Sequence, residues 1–441
     1  MDAQVLNDQS HPSNLREAHA HLPWLGRALD MLSLEGCGSA GEALDRIAVR
    51  AASARAEGAR GGWVQSHSAR VLGWREGRWF GRAELDRVTG ETPTLAMSFD
   101  HHAVFANSAA LEKAGIHRGT PDPAGGIIEK DRLGEPTGLL LEAAAFAIWG
   151  LAPEPPESAR ADQISRALDH LEGLGFSEVH ELFAPAWLGP LLKQLNLRRP
   201  APMRVDLFVP LEEIEAAHNG RSAWETDLLR LAGGKIFADG TLNSRTAWVL
   251  HPFADAPPGL EHGKPLMNPG RIGDAIERCG ALGLGIAMHA IGDGAVRACL
   301  DAIQAKGQRA SPGSRERVRI EHCELIDEAD VPRFAELGAI ASVQPCHLLA
   351  DIEALRTGLR DRLHRVMPWR DLIHSGLEPG KTLLFGSDVP VVRAEPGDSI
   401  QAAVGRGRIG DPVAIAPEQA ISEKEAWRCF ARLAENGSPR W

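Results

Sequence analysis

From about residue 165 onward, short apolar runs alternate with longer segments whose apolar residues recur at helical spacing. This alternation predicts parallel β-strands joined by helical crossovers. The connecting segments include RIGDAIERCGALG and GAVRACLDAIQAKG, and both end in glycine, a residue that is common after the last turn of a helix. Seven strands are predicted, at residues 176–182, 203–209, 234–239, 284–290, 317–323, 339–345 and 382–388.

An eighth strand would close such a sheet into a (β/α)8 TIM barrel, and the segment leading into AHAHL at residues 18–22 is predicted to be that strand, the first in the chain. The stretch between it and residue 176 is too long for one crossover helix and contains the turn-rich segments GTPDPAGG and DRLGEPTG. We therefore predict a long insertion after the first strand. The predicted division is a barrel start at residues 1–60, an inserted subdomain at 61–160 and the rest of the barrel at 161–441.

The charge balance argues against some classes of function. With 48 Lys and Arg against 59 Asp and Glu, the net charge is -11, which disfavours binding to nucleic acid or anionic lipid. The first residues lack the basic start and apolar run of a secretory signal, and no apolar run is long enough to span a membrane. The six cysteines form no CxxC pair. These features predict a cytoplasmic protein with reduced thiols and with no membrane or nucleic-acid partner.

Polar side chains stand at or just after the ends of the predicted strands. In a barrel of this kind, the C-terminal ends of the strands form the rim that carries the active site. The residues at these positions are His19, His21, His180, Lys235, Asp239, His289, His322, Gln344 and Asp388. Because parallel strands end at the same rim, we expect several imidazoles, a lysine amine and carboxylates to converge there.

The histidines and Asp388 have the character of metal ligands. His19 and His21 are two residues apart on a strand, so both side chains face the same side and can share one ion. His289 and His322 each follow an apolar run, and Asp388 follows TLLFGS, where a carboxylate is costly unless it meets a metal, a cation or backbone donors. Each histidine alone also fits a buried imidazole bonded to a carbonyl, and Asp388 also fits a cap on backbone amides.

Lys235 lies inside a predicted central strand, in the segment GGKIFADG. Burial without a partner would lower the pKa of its amine, and a neutral amine can react with carbon dioxide to give a carbamate. The alternative is a salt bridge between Lys235 and Asp239 or Glu181. The residues alone leave both interpretations open.

Several motifs together carry a resemblance to a known family. In chain order they are HAH, DHHAVFANSAALEKAGI, PDPAGGII, GEPTGLLLE, GGKIFADGTLNSRTA, HAIGD, RIEHCELI, SVQPCHL and FGSDVPV. Over roughly residues 17–430 the chain resembles the amidohydrolase superfamily, and most of all the branch that contains N-substituted formamide deformylases. The resemblance is specific because many motifs recur in the right order.

The resemblance implies a site with one or two divalent metal ions. The ligands that it implies are His19, His21, Lys235, His289, His322 and Asp388. The HxH pair and the aspartate would hold one ion, the other two histidines the second, and a carboxylated lysine would bridge them. Zn2+ suits this imidazole-rich set best, while iron, manganese, nickel, cobalt and a single-metal variant stay open. A metal-activated hydroxide would attack a carbonyl, and Asp388 would pass the proton to the leaving nitrogen.

The resemblance also places the inserted subdomain over the barrel mouth. The residues that it implies for substrate binding, or for support of the ligands, are His102, Asn107, Asp239, Arg245 and Asp293. Alternatives stay open, since Asp293 can cap the helix at GAVRACL and Arg245 can pair with Asp239. The tryptophans of the insertion either line the substrate pocket or form a small core of their own. They are Trp74, Trp79 and Trp149.

The activity implied is hydrolysis of a C–N bond in a small molecule, namely an amide, formamide or cyclic amide. Deamination and lactone hydrolysis are alternatives for the same site, and a binding or regulatory protein without turnover is another. Family members usually carry a small β-sandwich built from segments on both sides of the barrel. Few residues here precede His19 or follow Asp388, so we expect the sandwich to be missing or vestigial. The barrel surface left uncovered predicts polar substitutions or a homodimer.

Overall fold

The chain folds into two β-sheets with helices between their strands. The computed structural model describes residues 14–56, 62–154, 156–199, 202–307, 318–433 and 439–440. The strands are β1 (Leu15–Ala20), β2 (Leu32–Ser33), β3 (Val64–Ala69), β4 (Thr94–Ser98), β5 (Ala103–Ala106), β6 (Gly126–Lys130), β7 (Pro136–Glu142), β8 (Phe176–Glu181), β9 (Arg204–Pro210), β10 (Leu229–Phe237), β11 (Gly285–Ala290), β12 (Val318–His322), β13 (Ile340–Val343), β14 (Leu383–Phe385), β15 (Arg432–Leu433) and β16 (Pro439–Arg440). The α-helices are α1 (Leu22–Ala28), α2 (Ala40–Ala56), α3 (Arg82–Thr89), α4 (Ser108–Lys113), α5 (Ala143–Trp149), α6 (Glu157–Gly173), α7 (Leu188–Asn196), α8 (Ile214–Gly220), α9 (Pro269–Ala281), α10 (Asp293–Lys306), α11 (Val331–Leu337), α12 (Pro345–Gly358), α13 (Trp369–His374), α14 (Pro396–Gly405) and α15 (Glu423–Phe430).

Eight parallel strands form the main sheet, in the order β1–β8–β9–β10–β11–β12–β13–β14. The chain after β14 returns to β1. The Asp388 amide donates to the His19 carbonyl at 2.7 Å, and the His21 amide donates to the Val389 carbonyl at 2.9 Å. Strands β1, β11 and β12 are buried along their whole length, as expected when side chains fill the inside and helices cover the outside. The (β/α)8 barrel predicted from the sequence is therefore confirmed.

The predicted barrel strands agree with the observed ones to within a few residues, except at β10. This strand begins at Leu229, ahead of its predicted start at residue 234, and includes Gly233. A Cβ on Gly233 would lie 2.1 Å from the carbonyl oxygen of Gly285 on β11. Glycine at this position therefore permits the close approach of two neighbouring strands, rather than marking the start of one.

The residues between β1 and β8 build a second, six-stranded sheet in the order β2–β3–β4–β5–β7–β6. Its pairs are parallel from β2 to β4 and antiparallel from β4 to β6. Helix α2 belongs to this unit, because Ala43, Ile47 and Ala51 on its apolar side pack in the same core as residues of β3 and β5. The insertion therefore begins at β2, ahead of the boundary that was predicted at residue 61.

The insertion has apolar cores of its own. In one, Trp74 packs on Phe80 with ring centroids 6.0 Å apart, and Trp79 stacks on Phe105 at 5.6 Å. Trp149 packs against a separate core within the same unit. These three tryptophans therefore pack in cores of the insertion, as in the second of the two alternatives, and do not line the cavity at the barrel end.

Apart from the barrel and the insertion, the described residues form one further strand pair. Strands β15 and β16 are antiparallel, with two residues each. The described residues after β14 thus contribute only this two-stranded pair to the sheets. None of the described helices combines the length and apolar character needed to cross a bilayer.

Candidate active site

A cavity of about 610 Å³ lies at the C-terminal rim of the barrel. The connection between β4 and β5, which includes His101 and His102, covers it from the side of the insertion. The apolar part of the wall consists of Trp24, Phe99, Phe146, Phe183, Phe237, Leu242, Leu266, Ile291 and Val391. The cavity therefore offers a small ligand a mainly apolar surface, with polar groups gathered at the barrel end.

The HxH pair, His322 and Asp388 meet at the barrel end of this cavity. His19 and His21 lie at and just beyond the end of β1, and closure of the barrel brings Asp388 beside them. Asp388 Oδ1 is 3.3 Å from His19 Nε2 and 3.0 Å from His21 Nε2. His322 ends β12, with its ring centroid 4.9 Å from that of His19. Ligand atoms of His19, His322 and Asp388 all lie within 4.8 Å of one another.

Two atoms of this group indicate that a cation belongs here. His322 Nδ1 is buried and has no hydrogen-bond partner among the described residues, and the buried Asp388 Oδ1 has beside it only the Nε2 atoms of His19 and His21, which would themselves be metal ligands. Polar atoms buried in this way are rare in folded proteins. A divalent cation bound by imidazole nitrogen and carboxylate oxygen would satisfy both atoms. The residues present therefore fit a metal ion.

Buried charges below these ligands fix the orientation of His19. Its Nδ1 lies 2.8 Å from Glu321 Oε2, and the Arg319 guanidinium donates to Glu321 at 2.9 Å and to His180 at 2.7 Å. Burial raises the pKa of Glu321, but Arg319 and His19 outweigh burial and hold that pKa well below its usual range. A charged carboxylate at Nδ1 keeps the His19 proton on that side. Nε2 is then left as a lone pair toward Asp388, as metal binding requires.

Four residues that line the cavity have a strained backbone. His322 and Asp388 have φ values of 70° and 63°, and His101 and Glu142 have φ values of 64° and 52°. This left-handed region is costly for residues other than glycine and persists only where the surrounding structure imposes it. Four strained residues around one cavity indicate that their side-chain positions matter for function.

Lys235 faces the cavity from β10 and is 2% exposed. No carboxylate of the described residues lies within salt-bridge distance of its amine, so the predicted pairing with Asp239 or Glu181 is not formed. Its Nζ lies 5.2 Å from the centroid of the Phe237 ring. Burial lowers the pKa of Lys235 to about 8. The amine is therefore much closer to neutrality than an exposed lysine.

His289 ends β11 and also lines the cavity, with its ring centroid 4.4 Å from that of His322. Its Nε2 lies 3.1 Å from the Gly240 carbonyl oxygen and 3.6 Å from Asp239 Oδ1. The structure thus brings His289 next to the predicted ligands, while this nitrogen faces the loop that follows β10.

The structure separates the two residues of the insertion that the resemblance placed near the substrate. His102 lines the cavity, and its Nδ1 lies 2.7 Å from Glu142 Oε2. Burial opposes the charged imidazole, but Glu142 outweighs it and raises the pKa of His102 to about 9. Asn107 lies outside the cavity lining and is fully buried. Its carboxamide oxygen caps α4 and accepts a hydrogen bond from the Thr94 amide, so this side chain fixes the turn after β5.

The other three residues assigned by resemblance also lie outside this cavity lining. Asp239 is fully buried, and its carboxylate accepts hydrogen bonds from the backbone amides of Trp248, Ile291 and Gly292 at 2.8 to 3.0 Å. Burial raises its pKa to about 7. This carboxylate therefore holds the loops after β10 and β11 together.

Arg245 pairs with Asp255 rather than with Asp239, with Nε 2.7 Å from Oδ1. It faces a second cavity, of about 620 Å³, between the insertion and the barrel. Asp293 is the first residue of α10, and its carboxylate accepts from the Leu250 amide at 2.8 Å. The side chains of Arg245 and Asp293 therefore stabilise loops near the site.

Sequence reasoning missed several buried polar residues of the cavity, among them His101, Glu324 and His347. Glu324 and His347 join His322 in a second group that could hold a metal ion, and His347 Nδ1 lies 3.1 Å from Glu324 Oε1. Both occur in the motifs RIEHCELI and SVQPCHL, but each stands two or more residues beyond its strand. A search for polar residues up to four positions beyond each predicted strand would have identified Glu324 and His347.

The fold and the site together indicate the class of protein. An eight-stranded parallel barrel with imidazole and carboxylate ligands at its C-terminal rim is the arrangement of a metal-dependent hydrolase. A sequence profile of the amidohydrolase family matches residues 15–434. The chain belongs to the amidohydrolase family, and the predicted resemblance is confirmed.

Individual relatives agree with this assignment. YtcJ of Bacillus subtilis (strain 168) is 30% identical over 351 residues, which cover 75% of this chain and 63% of YtcJ. The N-substituted formamide deformylase of Arthrobacter pascens is 26% identical over 395 residues, or 86% of this chain and 71% of the deformylase. The crystal structure of a metal-dependent hydrolase from Pyrococcus horikoshii OT3 matches with a TM-score of 0.71 and 25% identity, covering 95% of this chain and 80% of that one. The chain thus spans less than two thirds of the length of YtcJ.

Proposed function

We propose that the protein hydrolyses the C–N bond of a small amide, formamide or cyclic amide. The observation that carries this proposal is the group of His19, His322 and Asp388, with the buried His322 Nδ1 lacking a hydrogen-bond partner among the described residues, at the end of an apolar cavity. A divalent cation held there, preferably Zn2+, would polarise a carbonyl oxygen and make a water molecule more acidic. The similarity to a formamide deformylase supports the choice of bond.

The side chains around this group suit amide hydrolysis. Asp388 would accept a proton from the attacking water on its carboxylate and return it to the leaving nitrogen. His102, kept protonated by Glu142, would donate a hydrogen bond to a polar group of the substrate. The aromatic wall would exclude bulk water and bind an apolar substituent.

Lys235 would complete a two-metal site as a carbamate. Its buried amine, with a lowered pKa and without a carboxylate partner among the described residues, is suited to react with carbon dioxide. The carbamate oxygens would then serve a second ion with His289 and His322. A lysine carbamate loses carbon dioxide in acid, so mass spectrometry of acidified peptides would not detect it. The test is therefore electron density beyond Nζ in crystals grown with bicarbonate. Density that ends at Nζ would leave a one-metal site.

The oligomeric state and the cellular location are further proposals. We propose a homodimer, which sedimentation of the purified protein would test. All six cysteines are free and buried, which suits a reducing, cytoplasmic location. The charge of -11 argues against a nucleic-acid partner.

A substrate panel tests the proposed reaction. Purified protein would be assayed on N-substituted formamides, small amides, cyclic amides and lactones, first loaded with Zn2+, then after chelation, then with Zn2+ restored. We expect C–N cleavage that disappears on chelation and returns with metal. Asp388→Asn should lower kcat by about a thousandfold or more, while the exposed control Asp361→Asn should match wild type. Turnover that persists without metal, or absence of C–N cleavage in the metal-loaded protein, would contradict the proposal.

A further inference from the structure

Arg70 lines the second cavity, of about 620 Å³, between the insertion and the barrel. It directly follows β3 and is partly buried, and its Cζ lies 4.4 Å from the centroid of the Phe99 ring. Among the described residues, none accepts a hydrogen bond from its five N–H groups, and no carboxylate lies within salt-bridge distance of them. Arginine is seldom buried without such partners.

The donors of Arg70 are open to a ligand. The nitrogens of this protein that are closed to water and lack a partner do not include those of Arg70. The guanidinium lies at Phe99, which also lines the second cavity and provides no oxygen acceptor. Burial lowers the pKa of Arg70, because the charges of Asp351 and Glu35 offset only part of the desolvation. The group still carries its charge, since an arginine stays protonated in proteins.

Two other arginines of the same lining already have carboxylate partners. Arg245 Nε and Nη2 each lie 2.7 Å from an oxygen of Asp255. Arg408 forms a similar two-bond contact with Glu353, with Nη2 2.9 Å from Oε2. In each of these bidentate pairs the two charges cancel, so neither arginine is free for an anion in the cavity.

The remaining charged side chains of the lining are Arg78, Asp100 and Glu129. The Arg78 side chain is 57% exposed, and its Nη1 lies 3.4 Å from Glu84. The two carboxylates accept hydrogen bonds from neighbouring hydroxyl groups. Among the charged groups described in this lining, Arg70 therefore combines partial burial with unused donors.

The chemistry of the cavity defines the class of ligand that it would take. The planar guanidinium matches the oxygens of a carboxylate or a phosphate group, to which it can donate two parallel hydrogen bonds. Aromatic rings line the same cavity, namely Trp79, Phe80, Phe99 and Phe105. A volume of about 620 Å³ lies within the range of small-molecule sites.

We propose that the second cavity binds a small molecule with an aromatic body and a carboxylate or phosphate group, and that Arg70 binds this anionic group. The site goes beyond the proposed hydrolysis, because Arg70 does not line the cavity that holds the candidate metal ligands. The two cavities share the wall residues Phe99, Asp100 and Asn243.

The test measures binding to the Zn2+-loaded full chain by isothermal titration calorimetry. The probes are phenylacetate, phenylphosphonate and the uncharged 2-phenylethanol. Arg70→Gln removes the charge, and Arg70→Lys keeps the charge without the planar pair of donors. Arg360→Gln is the matched control, because Arg360 is exposed and lines neither cavity. Thermal unfolding of each variant would check that it folds as wild type does.

We expect wild type and Arg360→Gln to bind at least one of the two anions, and Arg70→Gln to bind it about 10- to 100-fold more weakly. Arg70→Lys should have an intermediate affinity. 2-Phenylethanol should bind wild type more weakly than the anion does and should not distinguish wild type from Arg70→Gln. The anion that binds more tightly identifies the preferred group as carboxylate or phosphate.

Anions also bind metal ions, so Asp388→Asn separates the two sites. We expect this variant to retain the binding that depends on Arg70. Binding that is lost in Asp388→Asn but kept in Arg70→Gln would belong to the metal and would overturn the proposal. Wild type that binds neither anion, or that binds them no better than Arg70→Gln, would also overturn it. Because no turnover is measured, a failure of the proposed hydrolysis would be seen separately, in the substrate panel.

Discussion

At the scale of single residues, buried carboxylates in this protein serve two different purposes. Asp388 faces the cavity with only the imidazole nitrogens of His19 and His21 close to its Oδ1, whereas Asp239 has both oxygens bonded to backbone amides. The first arrangement is unfavourable without a ligand, and the second is favourable without one. Burial alone does not separate a ligand from a structural carboxylate, but the remaining hydrogen-bonding capacity does.

Removal of the Asp239 carboxylate should weaken the fold. Asp239→Ala leaves three backbone amides in the interior without an acceptor, at about 1 kcal/mol or more each. We expect the free energy of unfolding to fall by at least about 3 kcal/mol in urea denaturation. The exposed Asp45→Ala should change it by less than about 0.5 kcal/mol. A loss in Asp239→Ala no larger than that of the control would contradict this account.

The sequence was sufficient to bring together His19, His322 and Asp388, because each lies within or at the end of a strand predicted for the barrel. It could not show that Asn107 and Asp239 spend their hydrogen bonds inside the fold, since the partners are backbone amides with no sequence signature. It also could not single out His101, whose neighbour His102 carried the motif. Unused hydrogen-bonding capacity is a property of the three-dimensional structure.

At the scale of elements, period and apolar character located all eight barrel strands. The start of β10 was missed because the glycines at its centre were treated as a boundary. The edge of the insertion was missed because α2 has an amphipathic pattern that fits either the barrel or the second sheet. Only the packing of Ile47 among residues of β3 and β5 decides between them.

The contact between β10 and β11 can be tested with a glycine pair. Gly233→Ala places a Cβ against the Gly285 carbonyl, which is backbone and cannot move aside. We expect a loss of about 1–3 kcal/mol in unfolding free energy. Gly220→Ala is the control, because no atom would lie within 4 Å of its Cβ and its φ of -88° suits alanine. Gly220→Ala should be neutral or slightly stabilising, and an equally neutral Gly233→Ala would contradict the packing described here.

At the scale of the whole molecule, the insertion and the barrel form one site. Asp100, between β4 and β5, bonds Thr241, and Glu142, the last residue of β7, bonds Thr246, so side chains of the insertion reach the loop after β10. Residues of both units line the cavity, and the candidate metal ligands come from the barrel.

The thiols report on the integrity of this assembly. All six cysteines are buried, and burial raises the pKa of each thiol, to about 11 at Cys279. Because the thiolate is the reactive form, a disulfide reagent at pH 8 should modify the native protein only slowly. Unfolding in guanidinium should expose six fast-reacting thiols. Fast reaction of several thiols before unfolding would show that the core is not closed as described.

The central claim is that His19, His322 and Asp388 hold a divalent cation, and metal content tests it most directly. The proteins to compare are wild type, Asp388→Asn, His322→Ala and the exposed control Asp361→Asn. Each would be loaded with Zn2+ and desalted, and its metal content would be measured by inductively coupled plasma mass spectrometry. We predict about one to two equivalents per chain in wild type and in the control, and a loss of at least one equivalent in the other two. Wild type without metal, or ligand variants that retain all of it, would contradict the account.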